Sequence, residues 1–448
     1  MSTGFLSYRV FNFLFLFAIA FLIIVAFPFN RSLVHTLLVD HRYPPLYPKY
    51  HQQELELPHY TTYEHSDVKY LWAPNHPHRV GWGNLMQDYV LSYALAYASN
   101  RSFVFDDYTW VDDGSEFSYF NGKLIPSQVP LTALLSGPMV GGELPPNDPT
   151  PLAVSKDFFH RVCPNPTVLQ VSDVSGWTDA DTVEFIMDKW VQKITSIDDP
   201  CLQFADTKEQ IVDVVAYGQK ERLLSFWPYM SKLPLLTHWA WSHLILDAFE
   251  ANREVIFPPA VPSSPVQGSK NNRTEPFPGL FAIHVRRGDF KDHCHVLAHW
   301  NADWNAFNSF LQLPDKLDRS KDPRTSAENK QLYMDHCYPT MEQIVEKVKQ
   351  VRAGSEEPLK YLYIMTNGPA SWVKELKNAL RDLGGWEHIG SSRDLNLTWE
   401  QKYVAQALDM LVAQKAQVLI GNGWSSLTSN VVMLRMTEGQ PPESNRFW

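Results

Sequence analysis

An α/β fold organised around a parallel, Rossmann-like sheet is predicted for this chain, and three observations predict it. Strand-like and helix-like runs alternate from Leu280 to the end of the chain. The strand runs are short and almost wholly apolar, as strands buried on both faces are. The last strand enters its helix through a glycine-rich turn, Gly421-Asn422-Gly423, and such sheets bind ligands beyond the carboxyl ends of their strands.

The elements read as follows. Gly81-Trp82-Gly83-Asn84 signals a turn. Behind it Met86, Val90, Ala94 and Tyr97 recur at helical spacing over Leu85 to Ala98. Ser102 to Phe105 reads as a strand ending at Asp106-Asp107. Prolines and polar residues cluster from Val255 to Gly279, which marks a linker. Then come a strand at Leu280–Val285, a helix at Tyr338–Val351 and a strand at Tyr361–Met365. A helix from about Pro369 stops at Gly384-Gly385. Thr398-Trp399-Glu400-Gln401 is a capping-box pattern, followed by an apolar stripe of Val404, Leu408, Leu411 and Val412. The last strand is Val418–Ile420, and the last helix begins near Ser426.

The 448 residues suit two or three domains. Hydrophobic content of 44% and charged content of 20% describe a globular chain. A net charge of −10 with no basic run excludes a nucleic-acid footprint. From Val10 to Asn30 no residue is charged, and roughly 20 apolar residues span a bilayer as a helix. Residues 10–30 are therefore read as an uncleaved anchor behind a cytosolic tail at 1–9. A cleaved signal peptide is the competing reading, but the run is long and ends in Ala-Phe-Pro-Phe. Residues 31–66, rich in Pro, Tyr and His, read as a stem. The body at 67–448 would then lie in the secretory lumen. Sequons at Asn100, Asn272 and Asn396 fit that side. Four cysteines permit three pairings, of which Cys163–Cys201 and Cys294–Cys337 keep each bridge inside one domain.

Two motifs carry chemistry. In Ile283-His284-Val285-Arg286-Arg287-Gly288-Asp289 strand alternation puts Ala282, His284 and Arg286 on one face. A guanidinium at the end of an apolar strand is costly unless it meets an anion, and its fork of donors fits phosphate oxygens. The competing reading is an internal ion pair of Arg286 or Arg287 with Asp289. In Gly421-Asn422-Gly423-Trp424-Ser425-Ser426-Leu427-Thr428 the glycines allow close backbone approach, and amides at a helix start attract phosphate. Read alone, it is also an ordinary capped turn. The pair makes a diphosphate site.

His-Val-Arg-Arg-Gly-Asp, followed far downstream by Ser-Ser-Leu-Thr-Ser-Asn, resembles the fucosyltransferase superfamily that includes protein O-fucosyltransferases and α1,6-fucosyltransferases. Gly83-Asn84, a helix and Asn100-Arg101-Ser102-Phe103-Val104 resemble that family's amino-terminal layout. The resemblance implies a GT-B fold: two Rossmann-like domains, at 67–254 on the acceptor side and 280–448 on the nucleotide-sugar side, joined by the linker at 255–279. It implies an inverting, metal-free transfer with GDP-fucose or another nucleotide sugar as donor, no cofactor, and a glycan or glycoprotein as acceptor. It implies that Arg286 neutralises the leaving diphosphate while His284 and Asp289 position donor or arginine. Ser425, Ser426 and Thr428 bind phosphate, Asp409 takes the guanine edge, and Gly83 and Asn84 close the cleft from the other domain. The location implied is the Golgi or endoplasmic reticulum membrane, single-pass, with the amino terminus cytosolic.

One position departs from the pattern. The protein O-fucosyltransferases carry arginine where Gly81 stands, and Arg79 is displaced from it, which speaks against their usual protein acceptor. Asp106 and Asp107 are candidates for the acceptor base, with turn-forming aspartates as the plainer reading. Asp179-Ala180-Asp181 matches a metal-binding DxD but precedes an amphipathic helix, where carboxylates are expected. His293-Cys294-His295 and His336-Cys337 would suit zinc, but an oxidising lumen favours a disulfide. Trp239 and Trp241 read as core or sugar-stacking residues. The alternative function is a membrane-tethered carbohydrate-binding or scaffold protein that keeps the fold without catalysis.

Overall fold

Two parallel five-stranded sheets organise the computed structural model, which describes residues 42–63, 67–174, 178, 180–207, 209–258, 276–317 and 326–448. The anchor at 10–30, most of the stem and residues 259–275 of the linker lie outside the described residues. Among the described residues no helix is long and apolar enough to cross a membrane. Leu46–Trp448 is one unit.

The first sheet uses β1 (Tyr70–Trp72), β2 (Ser102–Phe105), β3 (Val154–Ser155), β4 (Thr167–Leu169) and β5 (Cys201–Phe204), in the order β3-β2-β1-β5-β4. The second uses β6 (Phe277–Val285), β7 (Tyr361–Thr366), β8 (His388–Ser391), β9 (Ala416–Gly421) and β10 (Asn445–Phe447), in the order β8-β7-β6-β9-β10. All pairings within both sheets are parallel. The alternation read for the second half is therefore present. The strand read at Leu280 begins earlier, at Phe277, inside the segment assigned to the linker.

Alternation sorts the second sheet's side chains into two layers. Phe281, Ile283, Val285, Leu362, Ile364, Val418 and Ile420 pack with Ile344 and Val348 of helix α5 (Met341–Ala353) and Leu376 of helix α6 (Ala370–Arg381). Leu280, Ala282, Tyr361, Tyr363 and Leu419 join the opposite core, with helices α7 (Ala405–Lys415) and α8 (Ser426–Thr437). Each buried aliphatic or aromatic side chain contributes roughly 1.5–3 kcal/mol. His284 belongs by register to the α7–α8 face. That core runs on into helix α2 (Trp82–Ala98) of the first half.

Local signals explain the element ends. Helix α5 starts three residues later than read, because Pro339 cannot continue a helix backward. Thr340 and Gln343 form the capping box instead. Thr398 and Gln401 also bond reciprocally, at 3.0 and 3.4 Å, but close a 3-10 turn, and α7 begins only at Ala405. Both expected disulfides are present, Cys163–Cys201 and Cys294–Cys337. Arg435, fully buried on α8, donates to Ala413 O, Ala416 O, Asn445 Oδ1 and Ser444 Oγ. Those bonds satisfy its charge and tie α8 to the β9 start and the β10 edge.

Candidate active site

Three helices are wrapped by protein along most of their length and reach solvent near their amino ends. From Gly81 to Ala96 only Gly81, Asn84 and Asp88 reach solvent. In α8 every residue up to Arg435 is buried except Ser426 and Leu427. In α7 the accessible residues are Ala405, Gln406 and Asp409. A helix apolar on all sides belongs in a core, so these exposed positions are where the helix starts come to the surface.

The α2 and α8 amino ends touch. A Cβ on Gly83 would lie 2.7 Å from the Leu427 amide nitrogen and 2.7 Å from Ser426 Oγ, so glycine is what lets the helices meet. Asn430 Nδ2 donates to Gly83 O at 2.8 Å, and Gln87 Nε2 donates to Ser429 Oγ and Asn305 Oδ1. Asn84, one residue past the contact, is exposed. Gly83 thus stands beside the Ser425–Thr428 turn, with Asn84 next to it in sequence. The Gly81 position carries no cap side chain, and Arg79 is exposed in a left-handed conformation (φ 58°).

The two arginines of the β6 end have separate fates. Arg287 is buried, donates to Pro339 O at 2.6 Å, and stacks on Tyr338 and Trp372 with its carbon 4.4 Å from each ring centre. Arg286 is about one-third exposed (32%) and meets Asp289 only at 3.7 Å. Its guanidinium lies over Phe290 at 5.0 Å. Burial lowers its pKa and Asp289 partly offsets this. The internal ion pair considered for this motif is therefore loose, and among the described residues no hydrogen bond takes up the Arg286 donor fork. Asn367 fixes the loop: its Oδ1 accepts the Arg287 amide at 2.7 Å and its Nδ2 donates to Arg287 O at 3.0 Å. Gly288 supplies the positive φ of 62°.

His284 joins the motifs. Its Nδ1 lies 2.8 Å from Thr428 Oγ1, and Trp448 Nε1 donates to its carbonyl at 2.8 Å. Burial, then Arg286, push its imidazole down to about 3, so it is neutral. Arg286 follows Val285, the last residue of the strand, and lies near enough for its charge to act on His284. The guanidinium and the hydroxyl-lined turn therefore share one strand end.

The turn itself is tightly held. Gly421 must lack a side chain, since a Cβ would meet Thr428 Cγ2 at 2.1 Å. Asn308 Nδ2 donates to Gly423 O at 2.9 Å and Ser425 O at 3.2 Å, and Asn422 Nδ2 donates to Cys337 O at 2.7 Å. Ser425 caps α8 by accepting the Thr428 amide at 3.5 Å. Thr428 is buried and also accepts the Asn422 amide at 3.3 Å, so it faces His284 inside the protein. Ser426 is the hydroxyl of the three that reaches the crevice.

Asp409 sits at the open end of α7. It accepts Tyr363 OH at 2.9 Å and Ser392 Oγ at 2.9 and 3.0 Å. Burial raises it to about 7, against the lowering pull of Ser392, Tyr363 and the Arg393 charge.

The first sheet's strand ends carry carboxylates. Asp106 is buried, pairs with Lys156 at 3.2 Å and accepts the Asp107 amide at 2.8 Å. Asp107 is raised well above the usual carboxylate range by burial, then Glu54 and Asp106. Glu54 of helix α1 (Pro48–Leu55) accepts the Thr132 hydroxyl at 2.8 Å and is raised by burial to about 7. His51, Glu54 and Asp107 bring donor atoms within 4.8 Å of one another, the spacing a cation would need. Lys156 already supplies positive charge there.

Other signals resolve simply. Asp181 accepts the Thr178 hydroxyl at 3.0 Å before helix α3 (Val183–Thr195), and Asp179 lies outside the described residues. Cys294 and Cys337 bond each other and are no zinc ligands. Trp241 is buried and donates to Gln414 Oε1 at 2.7 Å. Asn308, Asn367, Gln87 and Asp88 have no sequence signature and were not foreseen.

Residues 268–438 match the family model described as GDP-fucose protein O-fucosyltransferase. Both phosphate-type motifs fall inside that segment, so the resemblance to the GDP-fucose-dependent fucosyltransferase superfamily is shown there. No curated protein matches the chain. Among solved structures, POFUT1 in complex with GDP is 13% identical, covering 86% of this chain and 99% of its own, with a TM-score of 0.48. NodZ α-1,6-fucosyltransferase soaked with GDP-fucose is 12% identical, covering 82% and 92%, at 0.38. A FUT1 variant from Arabidopsis thaliana with GDP is 12% identical, covering 88% and 75%, at 0.35.

Proposed function

We propose, from a carboxyl-terminal segment of the GDP-fucose-dependent fucosyltransferase type, that this chain is an inverting glycosyltransferase. It moves fucose from GDP-fucose to a hydroxyl of a glycan or glycoprotein. The observation that carries the reading is the Arg286 guanidinium, only loosely paired with Asp289 and near enough for its charge to act on His284, which bonds the hydroxyl of Thr428 in the Ser425–Thr428 helix start.

Glycosyl transfer passes through an oxocarbenium-like state, and its main demand is charge stabilisation on the departing diphosphate. Arg286 supplies the cation. The α8 amino end, with the Ser426 hydroxyl, supplies neutral donors and the positive end of a dipole. Neutral His284, with Thr428 donating into Nδ1, presents Nε2–H as a further donor without adding charge. Asp289 holds the guanidinium toward the crevice. Asp409 accepts the N–H groups of a guanine edge. Gly83 and Asn84 bring the acceptor half against the donor half. In this reading the chain needs no metal or other cofactor. Residues 10–30 tether it to the Golgi or endoplasmic reticulum membrane, with the catalytic body in the lumen.

The test is calorimetry with GDP followed by transfer assays with GDP-fucose. Micromolar GDP binding together with GDP release from GDP-fucose is expected. A chain that binds neither GDP nor GDP-fucose sinks the reading. The exposed Gly81, where the resembling enzymes have arginine, favours one alternative: a carbohydrate-binding scaffold, which would bind GDP without turnover.

A further inference from the structure

The transfer reaction requires a base, and the residues identified so far leave that role open. The carboxylates near the crevice differ in what already holds them. Asp106 is paired with Lys156, Glu54 accepts Thr132, Asp409 accepts Tyr363 and Ser392, Asp289 faces Arg286, and Asp107 lies in the cluster with His51 and Glu54, where Lys156 supplies the positive charge.

Asp88 stands apart. It lies four residues beyond Asn84 on α2, so the two share a helix face one turn apart. With Gly81 they are the residues of the first sixteen from Gly81 that touch solvent. Helical side chains lean toward the amino end, so the Asp88 side chain leans over the Asn84 turn, which follows directly on the Gly83 contact with Ser426. Its neighbour Gln87 fixes the helix against α8 through Ser429. No hydrogen bond or ion pair of the carboxylate is present among the described residues, and burial alone raises it to about 7. Tyr217, whose charge state feels Asp88 and Asp213, has a buried hydroxyl with no partner. Asp213 is itself committed to Arg222. A carboxylate and a hydroxyl are thus left unmet at one place.

We infer that Asp88 is the catalytic base that accepts the proton of the acceptor hydroxyl. This rests on the transfer reaction proposed above. In the step, the acceptor O–H proton passes to the Asp88 carboxylate as the acceptor oxygen bonds to C1 of the sugar. The bond from C1 to the diphosphate oxygen breaks, and its electron pair leaves with GDP. Water then takes the proton from Asp88. An exposed carboxylate would be too weak a base; one desolvated in a crevice is matched to neutral pH.

The test uses the full-length chain and two readouts. First, Asp88→Asn should lower GDP release from GDP-fucose by roughly 100-fold or more, with GDP affinity by calorimetry within about twofold of wild type, and Asp88→Glu should recover part of the rate. Second, carbodiimide labelling of the wild type, read by peptide mass spectrometry, should modify Asp88 and be blocked by saturating GDP-fucose. An Asp88→Asn rate within threefold of wild type would overturn the inference, as would labelling that GDP-fucose leaves unchanged. If GDP affinity falls with the rate, Asp88 is structural and the inference also fails. Absence of GDP binding in the wild type overturns the transferase reading itself, so the two failures are distinguishable.

Discussion

The two parallel sheets end in opposite chemistry. The second sheet presents a cation, neutral hydroxyls and a helix start at its carboxyl edge, around Arg286 and Ser426. The first presents Asp106, Asp107 and Glu54, of which Asp107 and Glu54 are pushed toward the protonated form by burial. The same topology therefore builds a half edged by a cation and neutral donors and a proton-holding half. The amino end of α2 belongs to the second kind but is pressed against the first through Gly83. Sheet topology fixes where a site lies; the residues at the strand ends fix its chemistry.

The sharpest way to break this contrast is at the paired arginines. Arg286→Ala should lower transfer by roughly 100–1,000-fold, the cost of losing one preorganised charge at the leaving group, and change stability by about 0.5 kcal/mol or less. Arg287→Ala should instead destabilise the fold by about 2–4 kcal/mol, because it removes the bond to Pro339 O and the stack on Tyr338 and Trp372. Chemical denaturation beside transfer assays separates them. Equal loss of stability in both would show that Arg286 is structural too.

The proton-holding half predicts a pH dependence. Glu54 has its folded pKa raised from the ordinary 4.5 to about 7. A raised pKa means that the folded state keeps a proton the unfolded chain has released, so stability from this group is full below about 4.5 and is lost as pH rises through about 7. Glu54→Gln, which retains an oxygen for Thr132, should be more stable than wild type at pH 8 by on the order of 3 kcal/mol and nearly unchanged at pH 4. Denaturation midpoints at the two pH values check this. A variant equally stabilised at both would place the cause in packing rather than protonation.

The junction of the halves is tested by Gly83→Ala. The added Cβ would lie 2.7 Å from the Leu427 backbone nitrogen, which cannot rotate away. Overpacking of this kind costs about 1–3 kcal/mol, and transfer should fall with it. Gly81→Ala is the control, since a Cβ there has nothing within 4 Å and its φ of −65° suits alanine. A thermal shift that ranks the two the other way would show that the α2–α8 approach is not tight in solution.

Legibility from sequence follows the same division. Arg286 and the Gly421–Thr428 turn were readable because a charge ending an apolar strand and a glycine-rich strand-to-helix turn are locally unusual. The strands of the first sheet were mostly missed: β1 has three residues and β3 two, too short for a period to register. Asn308 and Asn367 act over long sequence separations, 117 residues to Ser425 and 80 to Arg287, which no local pattern encodes. Asp88 reads as an ordinary polar position on a helix. What singles it out is the burial of nearly everything around it, a property of the packed molecule.

Base recognition is the smallest effect and the most specific. Asp409 keeps one face toward Tyr363 and Ser392, and the open end of α7 leaves it within reach of a ligand. A carboxylate accepting N1–H and the N2 amine of guanine loses one partner when inosine diphosphate replaces GDP, so wild type should bind the inosine nucleotide roughly 10-fold more weakly. Asp409→Asn preserves size and can still accept the tyrosine and serine hydroxyls, but its amide opposes one guanine donor with another. GDP affinity should then fall by about 10-fold, and the preference for GDP over inosine diphosphate should largely vanish. Calorimetry with both nucleotides on both proteins reads this directly. An Asn variant that binds more weakly yet keeps the full preference would move guanine recognition to another residue and leave Asp409 as a support for Tyr363.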